Sequence, residues 1–179
     1  MLRLAGQVGD QVLIGTGLSA EIVAASLEQL HEGAREASRD PAEIEVWWAP
    51  RLCIAERREK ALKDIRASVA SAGNHALRSG LAGRHVPEHL QQNIRRFHQE
   101  YDYAQHGDKT GKNAHLIDEL GLTDYLLQRF AVAGTPSDIV ERIRRLSGLG
   151  CNNLWLSSPG DDPGSLDLMG KEVLPHLNS

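Results

Sequence analysis

Short apolar runs, each followed by a turn and an amphipathic stretch, divide this chain. Gln11-Val12-Leu13-Ile14 is apolar on consecutive positions and predicts a short strand buried on both faces. Gly15-Thr16-Gly17 breaks it. Ser19 is placed to cap the following helix, with Glu21 in the first turn, and Ile22, Ala25, Leu27 and Leu30 recur at helical spacing. Asp40-Pro41 pairs a cap with proline at the first helical position and leads through one turn into the strand Ile44-Glu45-Val46-Trp47-Trp48. Pro50 interrupts the pattern and Leu52-Cys53-Ile54-Ala55 resumes it. Glu56 to Ala76 then reads as a helix with Ala61, Ile65 and Val69 on one face.

The segment from Leu77 to Asn113 departs from this rhythm. It is polar, rich in histidine and irregular in hydrophobic period, and it predicts an insertion or lid. Within it Pro87 starts a helix through Leu90, Ile94 and Phe97, and Gly107 to Lys112 forms a turn or mobile loop. This segment is expected to be the most mobile part of the chain. His115 to Gln128 predicts two short helices broken at Gly121.

The strand-turn-helix rhythm then returns. Phe130-Ala131-Val132-Ala133 is a strand, Thr135-Pro136-Ser137-Asp138 a capping box, and Ile139, Val140, Ile143 and Leu146 a buried helix face. Gly148 or Gly150 ends that helix in a left-handed cap. Asn153-Leu154-Trp155-Leu156-Ser157 is a fourth strand. Ser158 to Gly164 is a loop, and Ser165 caps a last helix carrying Leu166, Leu168, Met169, Val173 and Leu174. The count is four βα units. Gly15-Thr16-Gly17-Leu18-Ser19-Ala20-Glu21-Ile22-Val23 echoes Gly134-Thr135-Pro136-Ser137-Asp138-Ile139-Val140. An α/β fold follows, either part of a (β/α)8 barrel or a doubly wound sheet.

Composition narrows the class without naming a function. The 179 residues are 41% hydrophobic, 25% charged and 4% aromatic, with net charge −4, which suits a single domain. No apolar run approaches the ~20 residues of a membrane span. No basic stripe marks a nucleic-acid binder. Cys53 and Cys151 form neither a disulfide framework nor a CxxC pair, so the expected compartment is cytoplasmic.

Four stretches together resemble the luciferase-like monooxygenase family of flavin- and coenzyme F420-dependent oxidoreductases. Leu4 to Gly17 is similar to that family's "AG-x-x-(A/G)-D-G-x-x-x-G-(T/S)-G" stretch, with Gln11 where the family has glycine. Ala34-Arg35-Glu36-Ala37-Ser38-Arg39-Asp40-Pro41-Ala42-Glu43-Ile44 resembles "AGRDPAEI", Ala133 to Val140 resembles the "GTPEEV" junction, and Glu172-Val173-Leu174-Pro175 resembles the closing "EVLP" helix. Their order and approximate spacing agree over nearly the whole chain. The resemblance implies a partial TIM barrel corresponding to the C-terminal half, with Met1 just before the fifth strand. It also implies FMN or coenzyme F420 as cofactor and a small molecule as substrate.

In such barrels ligands bind at the C-terminal ends of the strands, where glycines let the backbone approach a phosphate. The candidate cofactor contacts are therefore Gly15, Thr16 and Gly17 after the first strand, Gly134 and Thr135 after the third, and Ser157 and Ser158 after the fourth. Each has a plain alternative. The glycines suit a tight turn, Thr135 a helix cap, and Asp161 and Asp162 disfavour an anion beside Ser158. Strand alternation puts Trp47 and Trp48 on opposite faces. Trp48 and Arg51 are the expected cavity wall, although Arg51 also suits a surface ion pair.

His85-Val86-Pro87-Glu88-His89 matches an H-x-x-E-H zinc pattern, but proline at its centre separates the two histidines, and a solvated loop fits better. His98, His106 and His115 suit the surface, or one could donate a proton from the lid. No catalytic acid or base stands out. The leading expectation is a flavin- or deazaflavin-dependent oxidoreductase in half-barrel form. The alternative is a non-catalytic half-barrel. In either case open strand edges and an uncovered inner face favour a homo-oligomer or a complementing N-terminal half.

Overall fold

The structure, a computed structural model, describes residues 1–158 and 163–177. Its elements in chain order are α1 (Leu2–Val8), β1 (Gln11–Ile14), α2 (Ala20–Glu36), β2 (Glu45–Trp48), β3 (Arg51–Ile54), α3 (Arg58–Leu77), α4 (Glu88–Glu100), α5 (Lys112–Glu119), α6 (Thr123–Phe130), β4 (Ala131–Gly134), α7 (Pro136–Gly148), β5 (Asn153–Leu154), α8 (Pro163–Leu168) and α9 (Leu174–Leu177). A π-helical turn, Met169–Val173, joins α8 to α9. The alternation of strand and helix is the α/β rhythm predicted from the pattern of apolar runs. None of the described helices is long and apolar enough to cross a membrane.

The predicted second strand is two strands, because Ala49-Pro50 interrupts the pairing and proline has no N–H to give to a ladder. The run from Glu45 to Ile54 nevertheless forms the spine of the sheet. On one side the fourth strand's segment follows it from Trp47 to Leu52: Trp155 N–H donates to Trp48 O (2.7 Å), Ser157 N–H to Pro50 O (3.2 Å) and Leu52 N–H to Ser157 O (2.8 Å). On the other side β1 pairs in parallel with β2, and β4 pairs in parallel with β3. β1 and β4 thus lie end to end along one edge of the spine, linked where Leu18 N–H donates to Arg129 O (2.8 Å). A strictly sequential half-barrel would place β4 between the spine and β5; here the spine separates them.

Side chains divide by parity. Val12, Ile14, Trp48, Leu52, Ile54 and Val132 enter a core shared with α2, α7 and the C-terminal helices. Cys53 and Ala131, on the opposite face, enter a second core built by α3 to α6. The β3–β4 region is therefore covered on both faces. The β1–β2–β5 region is covered on one only: Leu13 is 55% and Trp155 60% exposed, with Trp47 half-buried between them. This corrects the expectation that Gln11–Ile14 is buried on both faces, since its residues alternate exposed and buried.

The segment from Leu77 to Asn113 contributes to the second core through Leu77, Val86, Ile94, Phe97 and Tyr101. The predicted break at Gly121 falls between α5 and α6, where its φ of 63° suits glycine. The capping box forms as expected: Thr135 N–H and Oγ1–H both donate to Asp138 Oδ2 (2.9 and 3.0 Å), and Asp138 N–H donates back to Thr135 Oγ1 (3.4 Å). The α7 helix ends at Gly148, with Gly150 at φ 91° just beyond. Two caps differ from expectation. Ser19 occupies the N-cap position without a side-chain bond. Ser165 lies inside α8, where its hydroxyl bonds the backbone of Ile54 and ties the C-terminal helices to β3. At the chain's start α1 presses against α2 so closely that a Cβ on Gly33 would lie 1.8 Å from Arg3 O.

Candidate functional site

The loops expected at one rim are staggered. Ala49 N–H donates to Ile14 O (3.0 Å), so Gly15-Thr16-Gly17 leaves β1 beside the Ala49-Pro50 break. Ser157 faces Arg51 across the other edge of the same break. Gly134 instead meets Ala55, whose N–H donates to its carbonyl (3.1 Å). That is four positions beyond Arg51 on the spine, or about 13 Å at the ~3.3 Å rise of a strand. The structure therefore brings Gly15, Thr16, Gly17, Arg51, Ser157 and Ser158 to one level, and leaves Gly134 and Thr135 at the next.

Within the first loop only Gly15 stands open, with nothing within 4 Å of where a Cβ would be. Gly17, at φ 135°, is closed over by Arg129, whose Cγ would lie 2.8 Å from a Cβ there. Thr16 is engaged inside the protein. Its hydroxyl meets Ser26 Oγ at 3.2 Å, and its carbonyl accepts from Arg129 Nε and Nη2 at 3.0 and 2.8 Å. Arg129 is 2% exposed and gives its third donor, Nη1, to Arg84 O (2.8 Å) and Tyr125 Oη (2.5 Å). Burial lowers its pKa, opposed by Tyr125. Arginine's ordinary pKa is high enough that it keeps its charge, spread here over carbonyl partners. Arg129 was not foreseen from the sequence. Its signal was a lone cation between the apolar pairs Leu126-Leu127 and Phe130-Ala131, on the buried face of a helix.

Thr135 cannot offer a donor to a ligand, since its N–H and hydroxyl both serve Asp138. A Cβ on Gly134 would lie 2.5 Å from Asp138 Oδ2. Burial by itself would raise the Asp138 pKa, but the bonds from Thr135 and the nearby Arg58 outweigh it and hold the carboxyl below its ordinary value. A carboxylate so placed repels an anion. Gly134 and Thr135 are a helix cap in this fold.

Around the spine break the polar groups are less complete. Arg51 Nη1 donates to Ser157 Oγ (3.2 Å). Arg51 Nε and Ser158 Oγ are buried and, among the described residues, have no hydrogen-bond partner. Buried polar atoms left in that state carry a free-energy cost and point to a missing ligand group or water. Trp48 is fully buried in the core shared with α2 and α7, and its Nε1 also lacks a partner. The tryptophan on the open face is Trp47, joined there by Trp155. Residues 159–162, including Asp161 and Asp162, lie outside the described residues.

Other candidate chemistry recedes. His85 has φ 51° and lies outside α4, which starts at Glu88, so the H-x-x-E-H spacing does not put both imidazoles on one helix face. Among the described residues no three His, Cys, Asp or Glu side chains gather to hold a metal. Burial pushes the Cys151 thiol up to about 11, despite Arg142 nearby, and leaves it unreactive at neutral pH. His98 bonds Asn74 Oδ1 through Nδ1 (2.9 Å). His106 bridges Ser71 Oγ (3.0 Å) and Tyr101 Oη (2.9 Å). His98 thus fastens α4 to α3, and His106 fastens the segment after α4 to α3.

Comparison with known proteins places this architecture. The chain is 24% identical, over 99% of its length, to the 5,10-methylenetetrahydromethanopterin reductase of Methanopyrus kandleri, and covers 48% of that protein. The solved structure of the coenzyme F420-dependent tetrahydromethanopterin reductase from Methanopyrus kandleri superposes with a TM-score of 0.66 at 22% identity, covering 99% of this chain and 48% of that one. The oxygenating constituent of 3,6-diketocamphane monooxygenase from Pseudomonas putida, solved in complex with FMN, has a TM-score of 0.50 at 21% identity, covering 97% of this chain and 45% of that one. The chain thus spans about half the length of the relatives it matches. Residues 1–153 match the family described as luciferase-like monooxygenase, and the chain belongs to that family.

Proposed function

We propose that the chain supplies part of the cofactor site of a luciferase-like oxidoreductase, holding the polar tail of coenzyme F420 or FMN at the break in the spine. The supporting observation is the pair of buried polar atoms, Arg51 Nε and Ser158 Oγ, that have no partner among the described residues and lie on neighbouring segments, with the open Gly15 on the spine's other edge. The donor set fits a phosphate or hydroxylated chain. Arg51 supplies charge and directed N–H groups, Ser157 and Ser158 supply hydroxyls, and Gly15 permits close backbone approach. When bound, the cofactor supplies the redox chemistry on a small-molecule substrate. The residues of this chain bind and orient it. The bare sheet face beside the site calls for a covering partner, either a second copy or a complementing half of the barrel.

Titration with coenzyme F420 and separately with FMN, followed by cofactor fluorescence, tests this reading. Saturable binding of at least one is expected. Arg51→Met is expected to weaken it about ten-fold or more, as loss of a charge-assisted bond does. A folded wild-type chain that binds neither cofactor, or an Arg51→Met variant that binds as tightly as wild type, overturns the assignment.

A further inference from the structure

A cavity of about 510 Å³ lies where the chain leaves α3 and returns along α4, within the ~300–1,000 Å³ range of small-molecule sites. Its walls come from one continuous stretch, Leu77 to Gln99, and share no residue with the spine break. Gln91, Arg95 and Gln99 recur every fourth position and so stand on one face of α4. His98 borders that face, between it and the buried Ile94 and Phe97. The turn after α3 adds Arg78 and the apolar Leu81 and Ala82.

The charge in this cavity is one-sided. Arg78 and Arg95 both line it, and among the described residues no carboxylate does. Neither arginine has an ion-pair partner among the described residues. Arg95 Nη2 donates to the neutral Gln91 Oε1 (3.3 Å). Arg78 stands beside the Tyr103 phenol, which the Asn74 amide and then Arg78 hold below its ordinary pKa. His98 supplies the second observation. Asn74 is 3% exposed, and its Nδ2 donates to Tyr103 Oη (3.3 Å). That turns Asn74 Oδ1 toward His98 Nδ1 (2.9 Å), so Nδ1 carries the proton of the bond between them. Burial, only partly offset by the Leu77 carbonyl, lowers the His98 pKa and keeps the ring neutral at pH 7. Its Nε2 is therefore an acceptor, and it is buried with no hydrogen-bond partner among the described residues. Buried polar atoms in that state point to a missing ligand group or water.

We propose that this cavity binds a phosphate monoester of a small organic molecule, with Arg78 and Arg95 on the phosphate oxygens and the organic body against Leu81 and Ala82. Guanidinium N–H groups match phosphate oxygens in charge and direction. The second ionisation of a phosphate monoester falls near pH 6, so close to neutrality part of it keeps an O–H that can donate to His98 Nε2. A sulfate ester has the oxygens and lacks that O–H.

Calorimetric titration of the full chain with phenyl phosphate, with the His98 imidazole followed by nitrogen NMR, tests this. Saturable binding that shifts the His98 Nε2 signal is expected. Arg78→Met and Arg95→Met are each expected to weaken it about ten-fold or more, as loss of a charge-assisted bond does. Both side chains are exposed, and a cooperative melt establishes that each variant is folded. Phenyl sulfate is expected to bind at least about ten-fold more weakly, as loss of one hydrogen bond does at a buried acceptor. Inorganic phosphate, which lacks the organic body, is expected to bind more weakly than phenyl phosphate. Inorganic phosphate that binds as tightly overturns the ester and assigns the site to free phosphate. No saturable binding, or binding that neither arginine variant weakens, overturns the proposal. Binding lost in Arg51→Met but kept in Arg78→Met and Arg95→Met also overturns it and places the phosphate at the spine break. A chain that binds phenyl phosphate as expected and neither cofactor upholds this site and overturns the other.

Discussion

The β3–β4 and β1–β2–β5 regions are built on one continuous spine, yet they meet solvent differently. Leu52-Cys53-Ile54-Ala55 and Ala131-Val132-Ala133 are apolar on both faces, and helices cover both. Gln11-Val12-Leu13-Ile14, Glu45-Val46-Trp47-Trp48 and Asn153-Leu154-Trp155-Leu156 each begin with a single polar residue, and helices cover one face. Parallel sheet normally needs both faces buried. The second region satisfies that rule only with something laid against Leu13, Trp47 and Trp155.

The difference is sharpest in its energetics. Phe97 is fully buried in the core over β3–β4, and Phe97→Ala is expected to cost about 4 kcal/mol in urea unfolding. Leu13→Ala, at the bare face where Leu13 is 55% exposed, is expected to change stability by less than about 0.5 kcal/mol. Comparable losses at the two sites would break the distinction between covered and bare faces.

Arg129 joins the two regions, because α6 carries it from β4's core to the loop after β1. Arg129→Met leaves the Thr16 and Arg84 carbonyls without their donors, and is expected to cost about 3 kcal/mol. A loss below about 1 kcal/mol would show that the end-to-end placement of β1 and β4 does not depend on it. Smaller again is the cap after β4: Thr135→Ala is expected to cost about 1 kcal/mol by thermal melting and to leave cofactor binding unchanged. Weakened binding would return Gly134 and Thr135 to the ligand site.

The smallest effect is a pH dependence in the helical cover. Burial lowers the His98 pKa below its ordinary 6.5, partly offset by the Leu77 carbonyl. The folded state therefore takes up its proton less readily than the unfolded state. The stability linked to His98 is whole above pH 6.5 and is lost as pH falls through that value toward the lower folded one. Urea midpoints for wild type and His98→Gln are expected to converge over that range. Parallel curves would contradict the assignment.

Much of the fold was legible in local pattern. The helices, the Thr135–Asp138 capping box and the break at Gly121 each follow from residues a few positions apart. The sheet was harder. Nothing local to Ile14 or Phe130 says that β1 and β4 share one edge of the spine, where Arg129 reaches Thr16 over 113 positions. The same limit governs the site. Arg51, Ser157 and Ser158 were candidates because family resemblance and strand-end position agreed, and the first two lie in hydrogen-bond contact, whereas Thr16 and Thr135 are donors whose bonds the protein itself consumes. Trp48 and Trp47 were correctly placed on opposite faces by alternation. Which face stays open depends on where α3 to α6 pack, and that is a tertiary outcome.

The central claim is that the spine break around Arg51 holds a cofactor tail. Fluorescence titration of the purified chain with coenzyme F420 and with FMN, alongside Arg51→Met and with light scattering on the same samples, tests it most directly. Saturable binding of at least one cofactor by wild type and about ten-fold weaker binding by the variant are expected. A folded wild-type chain that shows no saturation with either cofactor would contradict it.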